Sequence, residues 1–199
     1  MITEKQADWP TDLNWVFCDD FTQLNYNGPA FRGIDGFTID IENVLTDGIA
    51  SGDPTVRPEA MATLSTMHNI GKRFILATNC VDTEFVQDVT DQINVNRPAE
   101  DPIRALTKTL AGHGKINPKM FRIASGALSV PVRRMGHIDD QLKAHLGAWR
   151  AHYGMHISTL PWGEHQHPGV ERARPFEVGV VRELFKYHAN GRVTDYATS

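Results

Sequence analysis

The sequence predicts an α/β protein built on a doubly wound parallel sheet, and three observations predict it. Short runs rich in β-branched and aromatic residues, such as GFTIDI at 36–41 and KRFILAT at 72–78, alternate with amphipathic helical stretches. Alternation of that kind calls for parallel strands covered by helices on both faces. The 199-residue length and 41% hydrophobic content suit a single core, and no stretch is long and apolar enough to span a bilayer.

Residues 1–33 are polar and turn-rich, with Trp9, Trp15 and Phe17 as candidate anchors, and are expected to form an extension packing on a main domain at 34–199. The apolar run 36–41 reads as the first buried strand, and 46–56, with Gly and Pro at turn positions, as a loop. A helix is expected over 58–70. Pro58 suits its first turn, Met61, Leu64, Met67 and Ile70 form a stripe, and Gly71 suits its end. A strand at 72–78 follows, then a helix capped by Asp82 or Thr83 and carrying Phe85, Val86, Val89 and Ile93. Asp101-Pro102 is expected to open another helical run, with Ile103, Leu106 and Leu110, closed by Gly112 and Gly114. Beyond it PKMFRIASGAL reads as helix, VRRMGHID as strand, QLKAHLGAWRAH as helix and GMHISTL as strand. A final helix is expected from Pro175 to about His188.

Composition narrows the function. A formal net charge of −4 leaves no basic footprint for nucleic acid, so none is expected as a partner. The start, MITEKQADWP, has no signal-peptide apolar region, and a cytoplasmic location is expected. Cys18 and Cys80 have neither metal-site nor disulfide-framework spacing, and Cys80 is expected to be a free thiol. Nine histidines are many for this length, but no zinc pattern organises them, and most are expected at the surface. Gly154 argues against one helix joining His145, His152 and His156.

In parallel α/β sheets ligands bind beyond the carboxyl ends of the strands, and the candidate chemistry falls there. The first strand runs into Asp40-Ile41-Glu42-Asn43-Val44-Leu45, with two carboxylates two residues apart. The second ends in Thr78-Asn79, a hydroxyl and an amide suited to phosphate oxygens. Lys115 follows two glycines ahead of a helix and offers a compact positive charge. Asp139-Asp140 ends a later strand, and magnesium favours one or two carboxylates together with waters and phosphate oxygens. Each feature alone also has an ordinary reading as a cap, a turn or a solvated residue. The ordered set is the specific signal.

That set resembles the haloacid dehalogenase (HAD) superfamily, over roughly residues 34–162. IDIENV fills the first family motif, FILAT with Thr78 the second, GKINPKMFRIA with Lys115 the third and HIDDQL the fourth. The Asn-x-Leu after the first motif and the Asp-Gln-Leu of the fourth look nearest to subfamily IIIA, the phosphatidylglycerophosphate phosphatase-like hydrolases. Three positions depart from the pattern: Glu42 replaces the second Asp, Ile116 stands where Pro often follows the Lys, and His145 occupies the place of a later acid. There is no room for a large cap domain, and 80–114 is expected to be either a modest lid or a helix pair on the sheet.

The resemblance implies a magnesium-dependent phosphatase acting on a phosphorylated small molecule or lipid. Asp40 would be the nucleophile and Glu42 the general acid and base. Thr78, Asn79 and Lys115 would bind phosphate, and the metal would be held by Asp40, the main-chain carbonyl of Glu42 and Asp140, with Asp139 beside them. A catalytically weak scaffold with a binding role is the alternative, favoured by Glu42 and His145. An unrelated doubly wound domain is a further one, weakened by the lack of any glycine-rich phosphate loop.

Overall fold

The computed structural model describes residues 14–18, 20–47, 53–95 and 97–159. They form a parallel sheet of six strands: β1 (Asn14–Phe17), β2 (Gly36–Ile39), β3 (Arg73–Thr78), β4 (Ala105–Thr107), β5 (Met135–Asp139) and β6 (Met155–Ser158). Their spatial order is β1-β6-β5-β2-β3-β4. Chain order therefore reverses at β2. The path runs outward through β3 and β4, then returns to place β5 on the other flank of β2 and β6 beyond it. Ile39 is in register with Leu76 on one side and Ile138 on the other, so the strand ends carrying Asp40, Thr78 and Asp139 lie level.

Five α-helices connect these strands: α1 (Pro58–Asn69), α2 (Thr83–Asn94), the one-turn α3 (Lys108–Ala111), α4 (Pro118–Leu128) and α5 (Leu142–Arg150). Their ends follow local chemistry. Pro58 and Pro118 open α1 and α4, where a missing N–H costs nothing. The Asp82 carboxylate accepts from the Phe85 N–H at 3.1 Å at the head of α2, and Gly71 takes a left-handed φ of 79° just past α1.

Strand alternation divides the apolar side chains between two cores. Phe37, Ile39, Phe74, Leu76, Ile138 and Ile157 face α1 and α2, joining Leu64, Met67, Val86 and Val89. Ile75, Leu106 and Met135 face the other way and join Met120, Phe121, Ala124 and Ala148 of α4 and α5. The sheet is thus doubly wound, as the sequence predicts, and no inserted cap domain interrupts the described residues.

Two stretches differ from expectation. The run opened by Asp101-Pro102 is not a helix: Ala105–Thr107 form edge strand β4, paired with Leu76–Thr78, and only Lys108–Ala111 are helical. Ile103, Leu106 and Leu110 fit a helical stripe, but pairing with β3 supplies hydrogen bonds that a short amphipathic segment cannot match. The Asn94 side chain also fixes Ile103 in an extended entry, accepting from its N–H at 2.8 Å and donating to its carbonyl at 2.9 Å. Residues 80–114 are accordingly neither lid nor helix pair. They are a crossover helix, an edge strand and one helical turn. The second difference is β1, an added edge strand paired with β6. The expected helix at 175–188 and Trp9 lie outside the described residues. Among those residues, no helix is long and apolar enough to cross a membrane.

Candidate active site

Asp40, Asp139 and Asp140 meet at the carboxyl ends of β2 and β5, where strand order reverses. A crevice opens at such a switch point because neighbouring connections leave toward opposite faces. One carboxylate oxygen from each residue lies within 4.8 Å of the others. Lys115 enters from the loop between α3 and α4, and its Nζ sits 2.7 Å from Asp40 Oδ1 and 2.7 Å from Asp139 Oδ2. All four residues are buried.

The oxygens of these carboxylates are not equivalent. Asp40 Oδ1 also accepts from the Ile41 N–H at 2.9 Å. Both oxygens of Asp139 are committed: Oδ1 accepts from the Gln141 N–H at 2.8 Å, and Oδ2 receives Lys115. Asp140 Oδ2 accepts from the Asn43 side-chain amide at 2.9 Å, whereas its Oδ1 is buried with no hydrogen-bond partner.

Charge crowding shifts these groups. Burial pushes Asp40 well above the usual carboxylate range, Lys115 opposing this and Asp139 reinforcing it. Asp140 is pushed up to about 6, by burial first and then by Asp139. Burial acts upward most strongly on Asp139 too, but the adjacent Lys115 charge, together with His137 and His145, outweighs it, and Asp139 is held well below the usual range. Lys115 is raised because Asp139 and Asp40 outweigh its desolvation. Three carboxylates face one ammonium, so the pocket holds more negative potential than Lys115 can offset.

Thr78 closes β3 beside this cluster. Its hydroxyl oxygen accepts from the Cys80 N–H at 2.9 Å, and its hydroxyl donates to Glu42 Oε2 at 3.4 Å. Asn79 reaches the Lys115 loop: its side-chain oxygen accepts from the Lys115 N–H at 2.9 Å. Arg97, which could imitate the third motif, lies elsewhere, paired with Asp101 at 2.8 Å and stacked over Phe74. Cys18 and Cys80 are both buried, and neither forms a disulfide.

Of the six histidines among the described residues, His68, His113 and His152 are at least partly exposed, as expected, and three are buried. His137, His145 and His156 are fully buried and adjoin one another in the layer between the sheet and α5, with ring centroids 4.8 and 5.5 Å apart. His137 and Asp139 are two apart on β5 and so share a face. His137 Nε2 lies 3.3 Å from Asp139 Oδ2 without good hydrogen-bond direction, and Nδ1 lies 2.9 Å from Thr38 Oγ1. That period-two relation was readable in the sequence. Burial of His145 was not, since it depends on α5 crossing β5 and β6.

No protein-family model matches this sequence, and comparison with curated proteins finds no match. Among solved structures, an uncharacterized protein from Corynebacterium glutamicum is similar in fold, with a TM-score of 0.50 and 18% identity over 77% of this chain and 96% of that one. A hydrolase from Pseudomonas syringae aligns with a TM-score of 0.43 and 20% identity over 55% of this chain and 49% of that one, too distant to bear on function. The likeness to the Corynebacterium glutamicum protein supports the fold alone, the α/β sheet described above.

Proposed function

We propose that this chain is a magnesium-dependent phosphatase of HAD type, hydrolysing a phosphomonoester through an aspartyl-phosphate on Asp40. One observation carries the reading: a buried carboxylate at the sheet's switch point, one oxygen tied by Lys115 and the Ile41 N–H, clusters with a carboxylate oxygen of Asp140, a residue whose Oδ1 is buried with no hydrogen-bond partner. A buried carboxylate oxygen without a donor is costly unless a cation faces it, so the residues present fit a divalent ion. Asp40, Asp140 and the main-chain carbonyl of Glu42 would hold it. Asp139, though in the same cluster, has both oxygens engaged and serves Lys115 instead. Bound there, magnesium would offset charge on the phosphate oxygens.

The chain's own groups supply the remainder. An Asp40 carboxylate oxygen bonds to phosphorus as the ester oxygen departs, taking a proton from Glu42. Glu42 then accepts a proton from water, whose oxygen attacks the aspartyl-phosphate, releasing inorganic phosphate and restoring Asp40. Thr78 and Asn79 donate to the phosphoryl oxygens, and Lys115 offsets their charge. The substrate class is a phosphorylated small molecule or lipid.

The second reading, a catalytically weak scaffold with a binding role, is favoured by the Thr78 hydroxyl donating to Glu42 Oε2, which engages the carboxylate that turnover needs for proton transfer. To bind phosphate, Thr78 must leave that acceptor. A panel of phosphomonoesters assayed with magnesium and with chelator tests the proposal. Turnover is expected with magnesium only, falling to background in Asp40→Asn, a nearly isosteric change that spares the fold. Phosphate binding without turnover of any ester would favour the scaffold.

A further inference from the structure

We propose that Asn43 is a positioning residue for the cation: its amide donates to Oδ2 of Asp140 and keeps Oδ1 turned into the carboxylate cluster. The inference rests on the reading above, in which Asp140 is a metal ligand, and extends it to a residue outside the acidic motifs.

The geometry is specific. Asn43 lies in the turn after β2 with φ of 60°, in the left-handed region that only Gly, Asn and Asp visit routinely. From there its Nδ2 reaches Asp140 Oδ2 at 2.9 Å, across 97 residues of chain. Asp140 Oδ1 is buried with no hydrogen-bond partner, and one carboxylate oxygen of Asp140 lies within 4.8 Å of oxygens of Asp40 and Asp139. A carboxylate rotates freely about its last torsion, whose well is broad and two-fold. Fixing one oxygen therefore sets the direction of the other.

Asn is the residue type that meets both demands at position 43. Gly accepts the backbone but has no donor. Asp accepts the backbone but presents an oxygen to an oxygen. Other amide or hydroxyl side chains donate, but strain at this φ. Asn43 is exposed, so the fold does not depend on burying it. Groups that orient metal ligands in this way are worth about 10–100-fold in metal affinity.

The test uses the full chain, stripped with chelator and titrated with Mn²⁺, which shares magnesium's preference for oxygen ligands. Free ion is counted by electron paramagnetic resonance for wild type, Asn43→Gly and Asp140→Asn. Gly keeps the left-handed turn and deletes only the amide. Asn43→Gly is expected to weaken binding by about 10–100-fold, with a melting midpoint in chelator lowered by only about 2–4 °C for the lost hydrogen bond. Asp140→Asn is expected to abolish binding. Turnover of Asn43→Gly at saturating magnesium should return to the wild-type level while the magnesium concentration for half-activation rises. A purely structural role would not produce that split. Wild-type affinity in Asn43→Gly would overturn this inference and leave the cation site standing. Absence of Mn²⁺ binding in wild type would overturn both.

Discussion

Gly147 lies on α5, where that helix crosses the loop bearing Lys115. A methyl group built on it would overlap the Lys115 carbonyl oxygen, and would lie 2.6 Å from a Phe121 ring carbon and 3.0 Å from the Ile116 carbonyl carbon. Two of these three neighbours are backbone, which cannot swing aside as a side-chain tip can. Relief in Gly147→Ala requires α5 to retreat or the Lys115–Ile116 peptide to move, in either case by roughly 1 Å. Overpacking on that scale costs about 1–3 kcal/mol, and the better helix propensity of Ala returns up to about 1 kcal/mol. The net loss of stability is therefore expected at about 0–3 kcal/mol. Activity should fall further, because Lys115 Nζ is held between Asp40 and Asp139 at 2.7 Å from each. Misplacement of about 1 Å is worth about 10²-fold. The assay pairs urea unfolding with kcat/KM on the best ester of the panel. Gly126→Ala is the control: that glycine is on exposed helix surface with nothing within 4 Å of an added carbon. It should gain up to about 1 kcal/mol at unchanged activity. If Gly147→Ala behaves like Gly126→Ala, the close approach to Lys115 does not position the lysine, and the reasoning fails.

Lys115→Met should destabilise the protein by about 3–5 kcal/mol, because it strands two buried carboxylates, and should remove turnover. Arg97→Met, which loses a half-exposed ion pair, should cost about 1 kcal/mol or less and leave turnover intact; the reverse ranking, read by urea melts and kinetics, would place the motif in the wrong loop. Glu42→Gln should reduce hydrolysis of an alkyl phosphate by about 10²–10⁴-fold and of an activated aryl phosphate much less. Equal losses on both would take Glu42 out of proton transfer. His156 is buried and held well below the usual histidine range, by desolvation first and then by His145 and His137. Below pH about 6.5 the unfolded chain therefore binds a proton that the fold refuses, so stability is present above that pH and lost as pH falls. Asp40 and Asp140, both raised, act with the opposite sign in the same range. The slope is therefore read as the difference between wild type and His156→Gln in urea melts between pH 7 and pH 5, and that difference should approach about 1.4 kcal/mol per pH unit for this one proton. An unchanged slope in His156→Gln would assign the titration elsewhere.

Much of this protein is written locally. The strands 36–39, 73–78, 135–139 and 155–158, and the helices between them, declare themselves because each apolar period is sustained and ends in a recognisable cap. The candidate site residues were legible for a related reason. In a parallel α/β sheet chemistry gathers at the carboxyl ends of strands, so Asp40, Thr78 and Asp139-Asp140 could be found from strand ends alone. What local sequence does not contain is the partner of each group. Ala105–Thr107 are strand because β3 offers an open edge, and their own periodicity points to helix. Likewise, that Asp139 serves Lys115, while Asp140 is tied by Asn43 through one oxygen and left open at the other, depends on contacts spanning 24 and 97 residues. The burial of His145 against His137 and His156, like the passage of Gly147 over Lys115, is set by where α5 crosses the sheet. Periodicity and capping are properties of neighbours along the chain. Pairing, burial and the direction of a carboxylate oxygen are properties of neighbours in space, and only the folded arrangement of β2, β5 and α5 decides them.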